Sequence, residues 1–355
     1  MSGRVIALIM FKQCRYLCCA WLACTATASA EAVESPKPPS SEERQELPPS
    51  AIIEELKRRA QAIIERRDAG RPRLSGYTSL IGAYESNPNL STPRKGDWYT
   101  EQDAGFSVRW RATDQLWPEV GYRFAHVYYS ELRDNNYLSN TFYTTWRWFP
   151  TPRWRWESSW ETEWLEYPET KSSSLTGGKF LVSARYAITT RLYHQLGWHV
   201  IMREYASRKA RRGNSLPTDN AREDRRHTLF YEIGGTWRET LIRLRQEAYL
   251  HTSNDAYQDF YDAEDYKIRL STTRQFAKRW NGYASVSYER KNYRDRVATT
   301  VAEYDDLYTV FGSISYALTK QTSIGYSFTR KKLDSNYPAY EYTDGIHQLT
   351  LSAYF

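Results

Sequence analysis

The sequence lacks a long hydrophobic run. Nowhere in its 355 residues do about eighteen apolar residues follow one another, the length that a membrane-spanning helix needs. A helical membrane span is therefore excluded. Mean hydropathy is −0.73 and 26% of the residues are charged, yet the chain contains 29 Tyr, 13 Trp and 12 Phe. High polarity combined with so many aromatic residues indicates strands that are apolar on one face only.

Cysteine is missing from most of the chain, because all four cysteines lie within residues 1–30. That segment has basic residues before an apolar run at 16–23 and ends Ala28-Ser29-Ala30, a pattern typical of a secretory signal peptide cleaved before Glu31. The exported chain would contain no disulfide and no thiolate metal site. Lys and Arg would fall from 49 to 46 against 42 Asp and Glu, which leaves a net charge of +4. The four cysteines are Cys14, Cys18, Cys19 and Cys24.

Two further segments precede the main domain. Residues 31–49 are rich in Pro, Ser and Glu and are predicted to be a disordered lead-in. Residues 50–70 are predicted to form an amphipathic helix, capped by Ser50 and closed by Gly70. This helix either packs at the mouth of the main domain or binds a partner through residues 51–68. Its apolar face would comprise Ile52, Ile53, Leu56, Ala60, Ile63 and Ile64.

From residue 74 to residue 355 the apolar residues recur with a period of two, as they do in strands with one apolar face. Long polar segments separate the strands at 87–97, 131–136, 166–174, 206–222, 253–263, 294–302 and 333–343. Between them fall short turns near 113–115, 150–152, 189–190, 238–239, 276–278 and 319–321. Short turns at one rim and long loops at the other indicate about fourteen antiparallel strands, or twelve if one weak hairpin is merged.

The chain ends Leu349-Thr350-Leu351-Ser352-Ala353-Tyr354-Phe355. Together with the signal peptide and the alternation, this ending resembles the bacterial outer-membrane β-barrel proteins. The resemblance implies an all-β fold, a transmembrane antiparallel up-and-down barrel, in the outer membrane with its N-terminus in the periplasm. It also implies contact with lipid and lipopolysaccharide, and Phe355 as a signal to the barrel assembly machinery. A soluble β-sandwich is the alternative, but aromatic girdles at two membrane interfaces explain the Trp and Tyr residues directly.

The polar face of each strand would line the barrel lumen, because Arg on the lipid face costs about 2–4 kcal/mol at the membrane midplane. Two hypotheses are open for these basic residues. They pair with acidic residues of neighbouring strands into a ladder, or they form a path for anions. Inward aromatics such as Tyr143, Phe230, Tyr249 and Tyr283 would stack on sugar rings or serve as packing. The candidate path residues are Arg109, Arg111, Arg123, Arg147, Arg153, Arg155, Arg185, Arg203, Arg243, Arg245, Lys267 and Arg269.

In character the lumen is similar to that of outer-membrane channels for acidic oligosaccharides and of barrels that export anionic exopolysaccharides. The leading hypothesis is a passive, monomeric channel for anionic solutes, above all acidic oligo- or polysaccharide. A non-conducting secretion or assembly component is the second hypothesis. An outer-membrane hydrolase is the third, with His251 near Asp255, Asp259 and Asp262. No catalytic residue, cofactor or metal is predicted, and nucleic acid is excluded because no aromatic platform interrupts the basic segment 208–226.

Overall fold

The computed structural model describes residues 72–88, 95–212, 216–256, 262–298 and 301–355. All of these belong to one compact unit, Arg66–Phe355. The predicted signal peptide (1–30), lead-in (31–49) and amphipathic helix (50–70) lie outside the described residues.

Fourteen strands make up almost all of the described residues, and they are 13 to 21 residues long. A tilted strand needs about 9–11 residues to cross a bilayer, so each is long enough. Three 3₁₀ turns, at Arg133–Asn135, Lys171–Ser173 and Pro338–Tyr340, lie in the long loops. The strands are β1 (Arg73–Glu85), β2 (Asp97–Arg109), β3 (Leu116–Tyr129), β4 (Tyr137–Thr151), β5 (Trp154–Glu166), β6 (Leu175–Ala187), β7 (Leu192–Arg211), β8 (Pro217–Trp237), β9 (Thr240–Ser253), β10 (Ala263–Ala277), β11 (Trp280–Ala298), β12 (Val301–Ala317), β13 (Thr322–Ser335) and β14 (Tyr342–Tyr354).

Each strand pairs antiparallel with the next along the chain, and β1 pairs with β14 to close the sheet. Nine residue pairs, from Tyr77 with Tyr354 to Glu85 with Ile346, form this closing seam. The all-β fold and the strand number of about fourteen are therefore confirmed. No helix in the described ranges is long and apolar enough to cross a membrane.

Four of the short turns share one device, a threonine whose hydroxyl oxygen accepts a hydrogen bond from a backbone N–H three residues later. Thr113 accepts from Leu116 at 3.0 Å, and Thr189 from Leu192 at 3.0 Å. Thr151 and Thr319 make the equivalent bonds at 3.3 and 2.9 Å. The side chain thus satisfies a backbone donor that the tight turn would otherwise leave unpaired. We call this end of the barrel the short-turn rim and the other the long-loop rim.

Two segments predicted as long loops are mostly strand, so that part of the prediction was wrong. β7 continues to Arg211 and β8 begins at Pro217, within the predicted loop 206–222. Likewise, β11 reaches Ala298 and β12 begins at Val301, within the predicted loop 294–302. A hairpin that extends beyond the membrane has water on both faces. It needs no alternation of apolar and polar residues, so the pattern that identifies the other strands is missing there.

One face of the sheet carries the large apolar side chains, and they are exposed. Leu349 and Leu351 of β14 are 56% and 47% accessible, whereas Ser352 between Leu351 and Ala353 is 9% accessible. Six tryptophans of β4 and β5 share the exposed outer face: Trp146, Trp148, Trp154, Trp156, Trp160 and Trp164. An apolar outer face on a closed barrel is the arrangement that suits a lipid environment.

The seam between the first and last strands depends on Gly76. The backbone groups of Gly76 and Phe355 exchange two hydrogen bonds, at 2.9 and 3.0 Å. The Phe355 ring covers the glycine so closely that a Cβ there would lie 2.2 Å from a ring atom. Phe355 therefore occupies the space that any other residue at position 76 would need. Its predicted role as an assembly signal stays a prediction.

We expect Gly76→Leu to lower the folded fraction several-fold, because Leu and the Phe355 ring compete for the same space at the closing seam. Heat-modifiable migration in gel electrophoresis measures the folded fraction. Gly82→Leu is the matched control, since Gly82 lies on the same strand with nothing within 4 Å of its would-be Cβ. Equal folding of the two variants would contradict this account of the seam.

Candidate functional site

The register places ten of the twelve candidate path residues on the inner face of the sheet, opposite the apolar outer face. This inner face is the lumen wall. The other two lie in short turns at the rim. Arg111 pairs there with Asp114 at 2.8 Å, and Arg153 donates to the Tyr186 hydroxyl at 3.4 Å. Whether any of the twelve guides a solute stays a prediction, but their partners divide them into two groups.

The first group forms an ion-pair ladder, as one of the two hypotheses predicted. Glu119 of β3 accepts from Arg109 of β2 at 2.6 Å and from Arg147 of β4 at 2.8 Å. Arg147 also bonds Glu157 of β5 at 3.0 Å. The Glu119 side chain is only 9% accessible, so this carboxylate has exchanged water for two guanidinium groups. The ladder ties together four consecutive strands near the short-turn rim.

Other lumen pairs extend the same principle. Glu161 lies between Arg123 at 2.9 Å and Lys179 at 3.5 Å, which joins β3, β5 and β6. Lys267 bonds Glu289 across β10 and β11 at 2.6 Å. These basic residues are largely neutralised by their partners.

The second group forms what we call the basic row, a line of directly paired inward residues across β5 to β10. Two of its steps are Arg–Arg pairs, Arg155 with Arg185 and Arg245 with Arg269. Like charges directly opposite each other destabilise a sheet, so packing alone gives no reason for this arrangement. In chain order the row is Arg155, Arg185, Gln195, Glu232, Arg245 and Arg269.

Acidic partners neutralise one of the four arginines of the basic row. Only Arg245 has carboxylate oxygens within 4.0 Å among the described residues: Glu247 at 2.6 Å and Glu232 at 3.9 Å. Arg155, Arg185 and Arg269 have none within that distance in the same ranges. Arg243, next to the row on β9, also lacks one, and its Nε atom, like that of Arg155, is buried without a hydrogen-bond partner. Guanidinium groups with free donors can bind anions.

Two aromatic rings hold guanidinium groups of the basic row in place. The Tyr193 ring lies against Gly234, its directly paired residue, and the Arg185 guanidinium stacks on that ring at 3.4 Å from its centre. The Phe230 ring lies against Gly197 in the same way, and carries Arg245 at 3.9 Å. Each glycine lets the ring lie flat on the wall, and each ring orients one cation.

The inward aromatics were predicted to be sugar platforms or packing, and for three of the four named the ring carries a cation. Tyr143 carries Arg123 at 5.1 Å, Phe230 carries Arg245, and Tyr249 carries Arg226 at 5.3 Å. Tyr283 instead makes an edge contact with Phe311. Each of these three rings therefore lies against a guanidinium group on the lumen wall.

We expect Gly234→Ala to destabilise the barrel by about 1–3 kcal/mol, the usual cost of overpacking. Its Cβ would lie 2.5 Å from the Tyr193 ring, which must move and take Arg185 with it. Urea unfolding in detergent micelles, followed by tryptophan fluorescence, measures the loss. Gly312→Ala adds the same methyl group where nothing lies within 4 Å, and should change stability little. Equal effects at the two glycines would show that the ring contact is unimportant.

The sequence-based prediction missed Arg226, which also faces the lumen. Arg226 lies opposite Ile201 and His251. Arg226 falls in the basic segment 208–226, whose polar composition indicates a loop. Alternation along β8 would have identified it. Every second residue of a strand faces the same side, and Phe230 and Glu232 of β8 also face inward.

His251 does not pair with the acidic residues near it in sequence. Its Nε2 atom lies 2.9 Å from the Oδ2 atom of Asp265, a residue of the neighbouring strand β10. Asp255 bonds Arg211 at 3.1 Å, and Asp262 accepts from the backbone N–H of Ser253 at 2.9 Å. Asp259 lies outside the described residues. Cross-strand register, rather than proximity in sequence, determines the partner of His251.

Comparison with known proteins supports the fold. No family model and no curated protein matches the chain by sequence. Among solved structures, outer-membrane expressed OmpT of Vibrio cholerae aligns over 81% of this chain and 98% of its own, at 11% identity and a TM-score of 0.50. The outer membrane channel DcaP of Acinetobacter baumannii aligns over 81% and 98%, at 9% identity and a TM-score of 0.48. An anion-selective porin from Comamonas acidovorans aligns over 81% and 100%, at 8% identity and a TM-score of 0.44.

At these identities the likeness shows the fold alone. The closed antiparallel sheet of fourteen strands and the apolar outer face agree with it. The chain has the fold of a bacterial outer-membrane β-barrel protein.

Proposed function

We propose that the protein is an outer-membrane channel for anionic solutes, with acidic oligo- or polysaccharide as its main substrate class. The basic row carries this proposal, because three of its four arginines have no acidic partner within 4.0 Å in the described ranges. A solute carboxylate would supply the missing charge through paired N–H···O bonds. A guanidinium group stays charged at every physiological pH, so the attraction would not depend on protonation.

Water can reach the lumen wall, which a channel requires. The side chains of Arg123 and Lys179 face inward, yet they are 44% and 35% accessible. A barrel of about eight strands is just filled by its own side chains, and diameter grows with strand number. Fourteen strands therefore leave space between opposite walls.

The many hydroxyl side chains on the wall beside the basic row favour a substrate that itself carries many hydroxyl groups. From the short-turn half of β10 through β14 to β2, inward positions are mostly Ser or Thr. Hydroxyl groups both donate and accept hydrogen bonds, as the hydroxyl groups of sugars do. This hydroxyl wall comprises Ser271, Thr273, Ser285, Ser287, Thr309, Ser313, Ser315, Ser323, Ser327, Thr329, Thr350, Ser352, Ser75, Ser79 and Ser107.

We also propose the orientation and the surroundings of the barrel. Short turns face the periplasm in bacterial barrels of this type, and β1 begins and β14 ends at the short-turn rim. The N-terminal segment would then lie in the periplasm, where residues 51–68 could meet a partner. The apolar outer face would contact lipid and lipopolysaccharide, and Phe355 would be presented to the assembly machinery.

Transport here needs no catalytic step, so the proposal is for a channel without enzymatic activity.

Solute flux into proteoliposomes tests the proposal. Galacturonate, galactose and galactosamine have nearly the same size and carry negative, zero and positive charge. We expect galacturonate to enter fastest and galactosamine slowest through the reconstituted full-length protein. Equal rates for the three sugars, or no flux above empty liposomes, would contradict the proposal.

A further inference from the structure

A second feature of the lumen, nearer the long-loop rim, is a cavity of about 420 Å³ in the wall. Its lining includes Glu163 of β5, Gly177 of β6 and Arg203 of β7. These three are directly paired neighbours in the register, with the glycine in the middle. We call this feature the glycine recess. On β5 it lies eight residues beyond Arg155 of the basic row, so the two sites are separate.

Gly177 leaves open space where four other inward glycines do not. At Gly105, Gly121, Gly197 and Gly234, an added Cβ would lie within 2.5 Å of a neighbouring aromatic ring or its hydroxyl. At Gly177 the nearest atoms are 3.6 to 3.8 Å from that position, which is ordinary contact distance. No ring covers this glycine, so the floor of the recess is bare backbone that a solute can approach.

The two charged residues beside the glycine face each other without forming a bond. Arg203 has no carboxylate oxygen within 4.0 Å in the described ranges, although Asp224 is its directly paired residue. Asp224 is bound instead by Arg222, at 2.6 and 3.0 Å. Glu163 accepts a hydrogen bond from the Ser139 hydroxyl at 2.8 Å and has no cationic nitrogen within 4.0 Å in the same ranges.

The separation of these two charges suits a small molecule that carries both signs. Strands in a sheet are about 4.8 Å apart, so the backbones that carry Glu163 and Arg203 lie about 10 Å apart on either side of β6. The charged ends of the two side chains are more than 4.0 Å apart, so a ligand whose ammonium and carboxylate groups are a few ångströms apart can form one hydrogen bond with each. The other charges lining the cavity balance: Arg123 and Lys179 are positive, and Asp103 and Glu161 are negative.

We propose that the glycine recess binds small zwitterions, with the ligand's ammonium group on Glu163 and its carboxylate on Arg203. The local balance of charges explains why a neutral zwitterion fits here better than a free anion, which the basic row attracts. The recess thus adds a second selective element to the lumen. It depends on residues that the basic row does not use.

Isothermal titration of the full-length protein in detergent micelles tests the proposal with L-alanyl-L-alanine as the probe. Its N-acetylated form lacks the ammonium group, and its amide lacks the carboxylate. We expect both capped forms to bind at least about tenfold more weakly than the free dipeptide, since each loses one charge-assisted hydrogen bond. Glu163→Gln and Arg203→Gln should each weaken dipeptide binding by a similar factor. Glu163→Gln should not change the weak binding of the acetylated form.

Matched variants keep the test independent of folding. Gly177→Val fills the recess, whereas Gly178→Val adds the same group to the outer face, where an added Cβ also makes only ordinary contacts. We expect the first to abolish dipeptide binding and the second to retain it, with both variants heat-modifiable. Equal binding of the three dipeptide forms, no binding of the dipeptide, or binding unchanged in Gly177→Val would overturn the proposal. The galacturonate preference uses the basic row, so it would survive that failure.

Discussion

Replacing Arg155, Arg185 and Arg269 together by Gln is expected to lower the anion-over-cation permeability ratio at least about tenfold. These arginines face the lumen, and none has a carboxylate oxygen within 4.0 Å in the described residues. Their charge is therefore available to ions in the channel. Removing three such charges should change selectivity far more than it changes the width of the lumen. The zero-current potential of single channels in a salt gradient measures this ratio.

The charge-conserving variant is the control for that prediction. Arg155, Arg185 and Arg269 replaced by Lys should keep the preference for simple anions such as chloride. The same variant should lose part of its preference for carboxylates, because Lys does not present a planar fork of donors. A permeability ratio that stays unchanged in the Gln variant would show that the basic row does not act on permeating ions.

Replacing Glu119 by Gln is expected to destabilise the barrel by about 3 kcal/mol, the usual cost of breaking a buried ion pair from one side. The Glu119 carboxylate is 9% accessible and forms ion pairs with both Arg109 and Arg147. Without it, Arg147 keeps only Glu157, and Arg109 loses its partner in the ladder. Since Arg109 is 47% accessible, water compensates part of the loss there, which sets the expectation at the lower end of the usual range. The urea midpoint of unfolding in micelles gives the value.

Asp114→Asn provides the comparison for Glu119. Asp114 also pairs with an arginine, Arg111 at 2.8 Å, but its side chain is 93% accessible in a short turn. An exposed pair of this kind contributes about 0–1 kcal/mol, so the change should be hard to detect. If both substitutions shifted the midpoint equally, the ladder would not be a structural element of the barrel.

The sequence predicted the barrel well because a strand with one face in lipid must alternate, and alternation is visible in a single chain. Leu349 and Leu351 on one side and Ser352 on the other illustrate it, and the same parity placed Arg155 and Arg185 on the lumen wall. The extended part of the β7–β8 hairpin escaped prediction because water surrounds both of its faces. Arg226 was missed for another reason, because it lies in the basic segment 208–226, whose polar composition indicates a loop.

Partners across strands could not be read from the sequence. An odd or even position along a strand tells which face of the sheet a side chain lies on. The register with the neighbouring strand decides which residue that side chain lies opposite. Arg155 thus meets Arg185, whereas Arg147 meets Glu157, although the three arginines look equivalent along the chain. The stacking of Arg185 on Tyr193 over Gly234 also joins three different strands. The glycine recess needs the same information, since Glu163 and Arg203 are forty residues apart.

The zero-current potential of the wild-type protein in a planar bilayer tests the central claim most directly. With an approximately tenfold KCl gradient across the membrane, a channel whose wall carries the basic row should pass chloride in preference to potassium. We predict a potential displaced toward the chloride equilibrium value, and a smaller displacement as salt concentration rises on both sides. A potential displaced toward the potassium value, or a barrel that conducts no current at any voltage, would contradict the account.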